Sequence, residues 1–238
     1  MPLIDIHHHL VFGMDDGAQT VQDTQRMLQR AHLEGVRHII ATPHVEPGHR
    51  EFAYDQYLQR LQQTRRAAEA LKTGVKVYPG AEIFYTEATV RLLREKRVPT
   101  LAGSDCVLVE FSPMAPYEQL TEAARKLQNA GYQPIFAHVE RYRCLGRISR
   151  VRELHDEYHV LMQMNAGSIV NRLPLLREVW KKRVLEGGWI DIAASDAHDT
   201  LNRPCRMQAC YRTLSQMLGR TMAENLCRNN AKQAVFGR

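Results

Sequence analysis

The chain has 238 residues, about right for one α/β barrel, and its 44% apolar and 24% charged residues are globular values, so one domain over residues 1–238 is expected. No run of about 18 apolar residues could span a bilayer, and MPLIDIHHHL lacks the basic region and long apolar stretch of a secretory signal, so a cytoplasmic location without membrane insertion is expected. The formal charge of +6, from 25 arginines and seven lysines spread along the chain, suits an acidic or phosphorylated partner or simply a solvated surface; with no helix-turn-helix, finger or basic tract, no nucleic-acid partner is expected.

Short β-branched apolar runs alternate with amphipathic stretches from end to end. Seven strands are predicted: LIDIHHH (3–9), VRHIIATP (36–43), VKVYPGAEI (75–83), CVLVEF (106–111), QPIFAH (133–138), HVLMQMN (159–165) and WIDIAAS (189–195). Between the first two, TVQDTQRMLQRAHLEG reads as a helix with Thr20 as N-cap, Asp23 three residues on and Gly35 as stop. YDQYLQRLQQTRRAAEALKTG is a second helix ending at Gly74, and EQLTEAARKLQNAG a third ending at Gly131. Strand then helix, seven times, predicts a closed or nearly closed parallel barrel of the (β/α)7 kind, with a doubly wound open sheet as the alternative.

In such a barrel the C-terminal strand ends build the active site. Strand one ends in His7 and His9 with Asp16 in the loop beyond; strand two runs into His44; the third ends at Glu82, the fourth at Glu110, the fifth at His138, and the last at Asp196 and His198. A single histidine at a strand end is ordinarily a hydrogen-bonded core residue. Four carboxylates converging on one mouth are different, because buried charges must be paired or coordinate metal. Five histidines and four carboxylates exceed the needs of one tetrahedral zinc, and mixed N and O donors suit Mn, Fe or Zn, so two or three divalent ions are expected. Period-two alternation would put His7 and His9 on one side with Asp5 and Leu3, and His8 on the other with Ile4, Ile6 and Leu10. His8 is therefore expected to pack under a helix, and Asp5, deeper on the metal side, to orient a ligand histidine. Asp15 receives no role.

DIHHH, FGMDDG, ATPH, PGAE, VLVEF, AHVERY, NAGSI and SDAHDT, in that order, cover nearly the whole chain. They resemble the PHP superfamily and, within it, the CpsB/CapC group of bacterial metal-dependent protein tyrosine phosphatases. The resemblance implies a distorted TIM-like βα barrel and a trinuclear centre commonly assigned manganese, with iron, zinc, cobalt or magnesium as alternatives. It implies hydrolysis of phosphotyrosine by a metal-bridging hydroxide, acting on tyrosine-phosphorylated kinases that control capsular or extracellular polysaccharide. Carried over, the metal ligands are His7, His9, Asp16, His44, Glu82, Glu110, His138, Asp196 and His198, and the phosphate-binding arginines are Arg141 and Arg203. His8 departs from the small residue usual there, and the loop VEPGHREFAYD after His44 matches no motif. His44 and Asp199 are both candidates to protonate the leaving group.

Competing expectations are a small-molecule PHP phosphoesterase acting on histidinol phosphate or a nucleotide, an amidohydrolase, and a non-catalytic kinase-docking module. CLGRISR, Cys144 to Arg150, fits the Cys-x5-Arg spacing of thiol phosphatases. Among five irregularly spaced cysteines, which suggest no disulfide framework, and 25 arginines, that spacing arises readily by chance. It also lacks the glycine-rich turn and helix entrance such a loop needs, so Cys144 is read as incidental.

Overall fold

The computed structural model describes residues 1–49 and 51–237; Arg50, in the unmatched loop after His44, lies outside them, as does Arg238. Among these described residues nine short strands run in parallel: β1 (Leu3–His8), β2 (Val36–Ala41), β3 (His44–Val45), β4 (Lys76–Pro79), β5 (Glu82–Phe84), β6 (Cys106–Glu110), β7 (Gln133–Phe136), β8 (Leu161–Asn165) and β9 (Ile192–Ala194). The hydrogen-bonded order is β1-β2-β4 in one sheet and β3-β5-β6-β7-β8-β9 in the other. A parallel bridge between His8 and Ala197 joins the two, so the sheet curls into the expected TIM-like βα barrel and the doubly wound alternative is set aside.

One predicted strand, VKVYPGAEI, is broken in two, and the strand predicted over 36–43 is followed by a further short strand, β3; the cause is local chemistry. Pro43, which has no N–H for a ladder, separates β2 from β3. Pro79 ends β4, Gly80 and Ala81 separate it from β5, and a Cβ on Gly80 would lie 2.6 Å from the Ile40 side chain, so only glycine lets the chain pass there. The buried Tyr57 hydroxyl replaces the missing ladder, donating to the Gly80 carbonyl at 3.0 Å and accepting the Gly80 N–H at 2.9 Å.

Among the described residues ten α-helices cover the barrel: α1 (Val21–Leu33), α2 (Tyr54–Ala70), α3 (Thr89–Arg94), α4 (Tyr117–Asn129), α5 (Ile148–Asp156), α6 (Ala166–Val170), α7 (Leu175–Glu186), α8 (Met207–Leu218), α9 (Arg220–Glu224) and α10 (Asn230–Phe236). Thr20 and Asp23 form the predicted reciprocal cap at the start of α1. Helix α2 stops at Ala70, short of Gly74, because Lys72 already takes a left-handed conformation. The strands present two faces. Leu3, Ile39, Ala41, Ile83, Val109 and Phe136 pack outward against the helices, whereas Ile4, Ile6, Ile40, Leu108, Ile135 and Ile192 fill the barrel with Ala231 and Val235 of α10. The opposite end, where the strands finish, carries the polar residues.

Candidate metal centre

Strand β1 is not regular. Asp5 pairs with Ile39 but His8 with Ala41, three residues on β1 against two on β2, so one extra residue is inserted between them. The bulge reverses the parity predicted for the start of the strand. Asp5 shares the outward side with Ile39, where it accepts the Ser195 N–H at 2.9 Å and lies against the Cys205 thiol at 3.9 Å. It ties β1 to the end of β9 and accepts the backbone N–H of His7 at 3.4 Å, so it steadies the backbone of a ligand histidine rather than its ring. His8 shares the outward side with Ala41, fully buried as expected. Burial pushes its imidazole down to about 3, so it is neutral, and neither ring nitrogen has a hydrogen-bond partner among the described residues.

His7 and His9 turn into the mouth. Glu82 Oε2 lies 3.0 Å from His7 Nε2, 3.2 Å from His9 Nε2 and 3.1 Å from His44 Nδ1. Its other oxygen, Oε1, meets His138 Nε2 at 2.7 Å. Glu110 reaches His44 Nδ1 at 3.1 Å and His138 Nε2 at 3.5 Å. On the outer side Asp16 Oδ1 lies 3.4 Å from His44 Nε2 and 3.3 Å from His198 Nε2. Asp196 Oδ1 sits 3.3 Å from His7 Nε2. All nine residues singled out from the sequence thus meet at one site. Eight of them form three overlapping groups whose donor atoms could each hold an ion: His7, His9, Glu82 and Asp196; His44, Glu82 and Glu110; and His9, Asp16, His44 and His198. His138 joins the site through its contacts with Glu82 and Glu110.

Two of these side chains reach the mouth through strained backbone. His138 follows β7 with φ of 35° and Asp196 follows β9 with φ of 52°, left-handed conformations that cost on the order of 1–3 kcal/mol each in residues other than glycine. Their backbone N–H groups are fixed by Gln163 Oε1 and by the His7 carbonyl, both at 2.9 Å.

The hydrogen bonds behind the histidines decide whether the site fits cations. Gln163 Oε1 accepts the His138 N–H, so the Nδ1 of His7, 3.1 Å from the same oxygen, must carry a proton. The Asp15 carboxylate, 2.7 Å from His9 Nδ1, imposes the same tautomer on His9. The two Nε2 atoms then face each other at 3.2 Å with their lone pairs, an arrangement that requires a proton or a cation between them. The electrostatics of His138 have the same sense, whereas His198 is held neutral and free to act as a ligand. Burial alone would depress the His138 imidazole, yet the Glu110 and Glu82 carboxylates lift it to about 9; burial and the neighbouring His9 push His198 down to about 4. The carboxylate-rich centre is short of positive charge, and the donor set fits divalent ions.

Asp15, Gln163 and Asn165 escaped the sequence reading. Asp15 also accepts the N–H groups of Gly17 at 2.9 Å and His44 at 3.0 Å, and its pairing with His9 overcomes burial to bring its carboxyl down to about 2. Asn165 Nδ2 donates to Asp196 Oδ2 at 2.7 Å, and its own oxygen accepts from Gln163 Nε2. The signals were present: the first acid of the DDG run, and polar residues at alternate positions of the otherwise apolar strand LMQMN.

Arg141 and Arg203 both converge on Asp196 Oδ2, from 2.7 and 2.9 Å, with their side chains 42% and 38% exposed. Asp199 is different. Its Oδ1 accepts the backbone N–H groups of Leu201, Asn202 and Arg203, which hold the carboxyl below its ordinary range, so it shapes the loop and is a poor proton donor. The Cys-x5-Arg segment does run into a helix, α5, which the sequence reading denied, but Arg150 is occupied by the Cys144 carbonyl at 3.1 Å and by the Tyr117 ring. Burial raises the Cys144 thiol, the opposite of what a nucleophilic cysteine needs.

The family described as capsular polysaccharide synthesis, CpsB/CapC, matches residues 3–236. This chain belongs to the CpsB/CapC family. Tyrosine-protein phosphatase CpsB of Streptococcus pneumoniae is 31% identical to it over 246 residues, covering 98% of each chain. Tyrosine-protein phosphatase YwqE of Bacillus subtilis is 29% identical, over 95% of this chain and 89% of YwqE. A chain from the crystal structures of YwqE from Bacillus subtilis and CpsB from Streptococcus pneumoniae, described as metal-dependent tyrosine phosphatases, superposes with a TM-score of 0.90 at 26% identity, over 99% of this chain and 95% of that one.

Proposed function

We propose that this CpsB/CapC chain is a metal-dependent protein tyrosine phosphatase. The observation that carries the reading is the meeting of five histidines and four carboxylates at one barrel mouth, with two guanidinium groups at its rim. In this reading His7, His9, Glu82 and Asp196 would hold one ion, His44, Glu82 and Glu110 a second, and His9, Asp16, His44 and His198 a third, with His138 beside Glu82 and Glu110. Mixed imidazole and carboxylate donors favour manganese, with iron, zinc, cobalt or magnesium as alternatives. Bound ions of this type supply the Lewis acidity that makes water nucleophilic at neutral pH and offset charge on phosphate.

The protein's own groups do the rest. Gln163 and Asp15 fix the tautomers of His7 and His9 so that both Nε2 lone pairs face inward. Arg141 and Arg203 present planar forks that match the non-bridging phosphate oxygens and steady the charge that builds on them as the ester bond breaks. The tyrosine leaving group, with a free pKa near about 10, needs less protonation than an alkoxide, which suits a site where Asp199 is committed to its loop.

The substrate we propose is a tyrosine-phosphorylated bacterial kinase that governs capsular or extracellular polysaccharide synthesis, in keeping with the capsule description of the family. A cytoplasmic setting is part of the proposal: all five cysteines are free, and among the described residues no helix is long and apolar enough to cross a membrane. The test compares phosphotyrosine peptide, histidinol phosphate and a phosphodiester, with and without chelator. The expected outcome is preference for the peptide, loss with EDTA and recovery with Mn, with Cys144→Ser as active as the parent. A preference for either small substrate, or EDTA resistance together with an inactive Cys144→Ser, would overturn it.

A further inference from the structure

The two sides of the metal centre differ in charge. On one side a cavity of about 550 Å³ is lined by Asp15, Asp16, Glu46 and Glu51, and among the described residues no arginine or lysine lines it. On the other a cavity of about 480 Å³ lies between the segment after β7 and the first turns of α7, and Arg141, Arg143 and Arg177 line it. Its one lining carboxylate, Glu140, is turned into the fold, where it accepts the Asn165 N–H at 3.2 Å. Arg141 belongs to both places, since its guanidinium touches Asp196 and the residue lines the cavity. Arg143 and Arg177 are exposed, and among the described residues neither makes an ion pair.

The basic cavity also has an apolar wall, made by Trp180, Leu173 and Leu176, the last 85% exposed. That wall is built rather than loose. Trp180 Nε1 donates to the Leu145 carbonyl at 2.8 Å, and Glu178 Oε2 accepts the Leu173 N–H at 2.9 Å. Lys181, only 2% exposed, donates to the carbonyls of Ser168 and Asn171, each at 3.2 Å, and pairs with Glu178 at 2.9 Å. A buried ammonium thus pins the α6–α7 connection, although its residues lie far from the metal ligands in sequence.

We infer that the polypeptide on which the phosphotyrosine is carried leaves the metal centre across Arg141 into this cavity, and that the preferred segment has acidic residues beside the phosphotyrosine and an apolar side chain beyond them. The acidic residues meet Arg143 and Arg177, and the apolar one rests on Trp180 and Leu176. An acidic segment on the other side would face Glu46 and Glu51, the latter paired with Arg97 at 3.0 Å, and no unpaired arginine comparable to Arg143 and Arg177 among the described lining residues, so its direction across the site follows from charge. This inference rests on the phosphatase reading, and it adds which sequences around the phosphotyrosine are taken.

Two measurements separate the inference from the reading it rests on: hydrolysis of peptides with acidic, neutral and basic flanks, and binding of a non-hydrolysable phosphonate analogue of the acidic peptide. The wild type is expected to favour the acidic over the basic peptide in kcat/KM, mainly through KM, with the preference shrinking as salt rises. In Arg143→Ala/Arg177→Ala the acidic-peptide kcat/KM is expected to fall about tenfold further than that for p-nitrophenyl phosphate, which has no flank. Leu176→Glu, at an exposed position that leaves the fold undisturbed, is expected to weaken the acidic phosphonate and strengthen a basic one. An acidic preference that survives the double variant, or that is lost in Glu46→Gln/Glu51→Gln instead, would overturn the inference. Phosphonate binding with this charge dependence but no hydrolysis of any peptide would overturn the phosphatase reading and leave the docking surface standing.

Discussion

Replacing Asp15 by asparagine tests whether the group behind His9 governs metal binding. Its carboxylate serves three donors: His9 Nδ1 at 2.7 Å and the His44 N–H at 3.0 Å on Oδ2, and the Gly17 N–H at 2.9 Å on Oδ1. The side chain is 4% exposed, so water cannot repair a mismatch. Asparagine offers one carbonyl oxygen. If that oxygen faces His9, the amide NH2 meets the Gly17 N–H, donor against donor, and a buried unpaired N–H costs about 1–3 kcal/mol. The bond to His9 also loses its charge, a further difference of about 1 kcal/mol between charged and neutral acceptors. If the amide is reversed, His9 is driven to the other tautomer, with a proton on the Nε2 that should face the ion. The cost is about 2–4 kcal/mol of stability and, by analogy with other groups that orient ligand histidines, about 10- to 100-fold in metal affinity. Calorimetric titration of Mn into metal-stripped protein measures the affinity, and urea unfolding of the same samples measures the stability. Affinity within threefold of the parent, with an unshifted urea midpoint, would refute the role given to Asp15.

Two further outcomes are expected away from the centre. Tyr57→Phe strips the hydroxyl that bridges both backbone groups of Gly80 at the β4–β5 break, and should lower unfolding stability by about 2–4 kcal/mol in urea; a loss under about 0.5 kcal/mol would mean the break is held by packing alone. His155, lifted to about 9 chiefly by its hydrogen bond to Asp191, has a higher pKa folded than unfolded, so its contribution is complete below about pH 6.5 and fades as pH rises through 9. Screened by partial exposure, it should make the parent more stable than His155→Gln by at most about 1 kcal/mol at pH 6, with the gap closing by pH 10; a gap that widens with pH would contradict the pairing.

Much of the molecule is written along the chain, because barrel strands carry their chemistry at their ends. Alternating strand and helix patterns gave the βα barrel, and His, Asp and Glu at successive strand ends gave the set that the structure gathers, each position depending on its own strand. Helix α1 was equally legible, since Thr20, Asp23 and Gly35 act within one turn of the backbone. What failed were inferences that carried one periodicity across a defect. The bulge in β1 sends Asp5 outward, and the β4–β5 break at Gly80 depends on a clash with Ile40, a residue distant in sequence. The groups that orient the histidines, Asp15 and Gln163, and the pairing of both arginines with Asp196 also arise only when separate strand ends meet. Sequence fixes which donors stand at each strand end, because side-chain direction there is local. The closed barrel decides which of them share a proton, an ion or a guanidinium, because those distances belong to residues that the chain holds far apart.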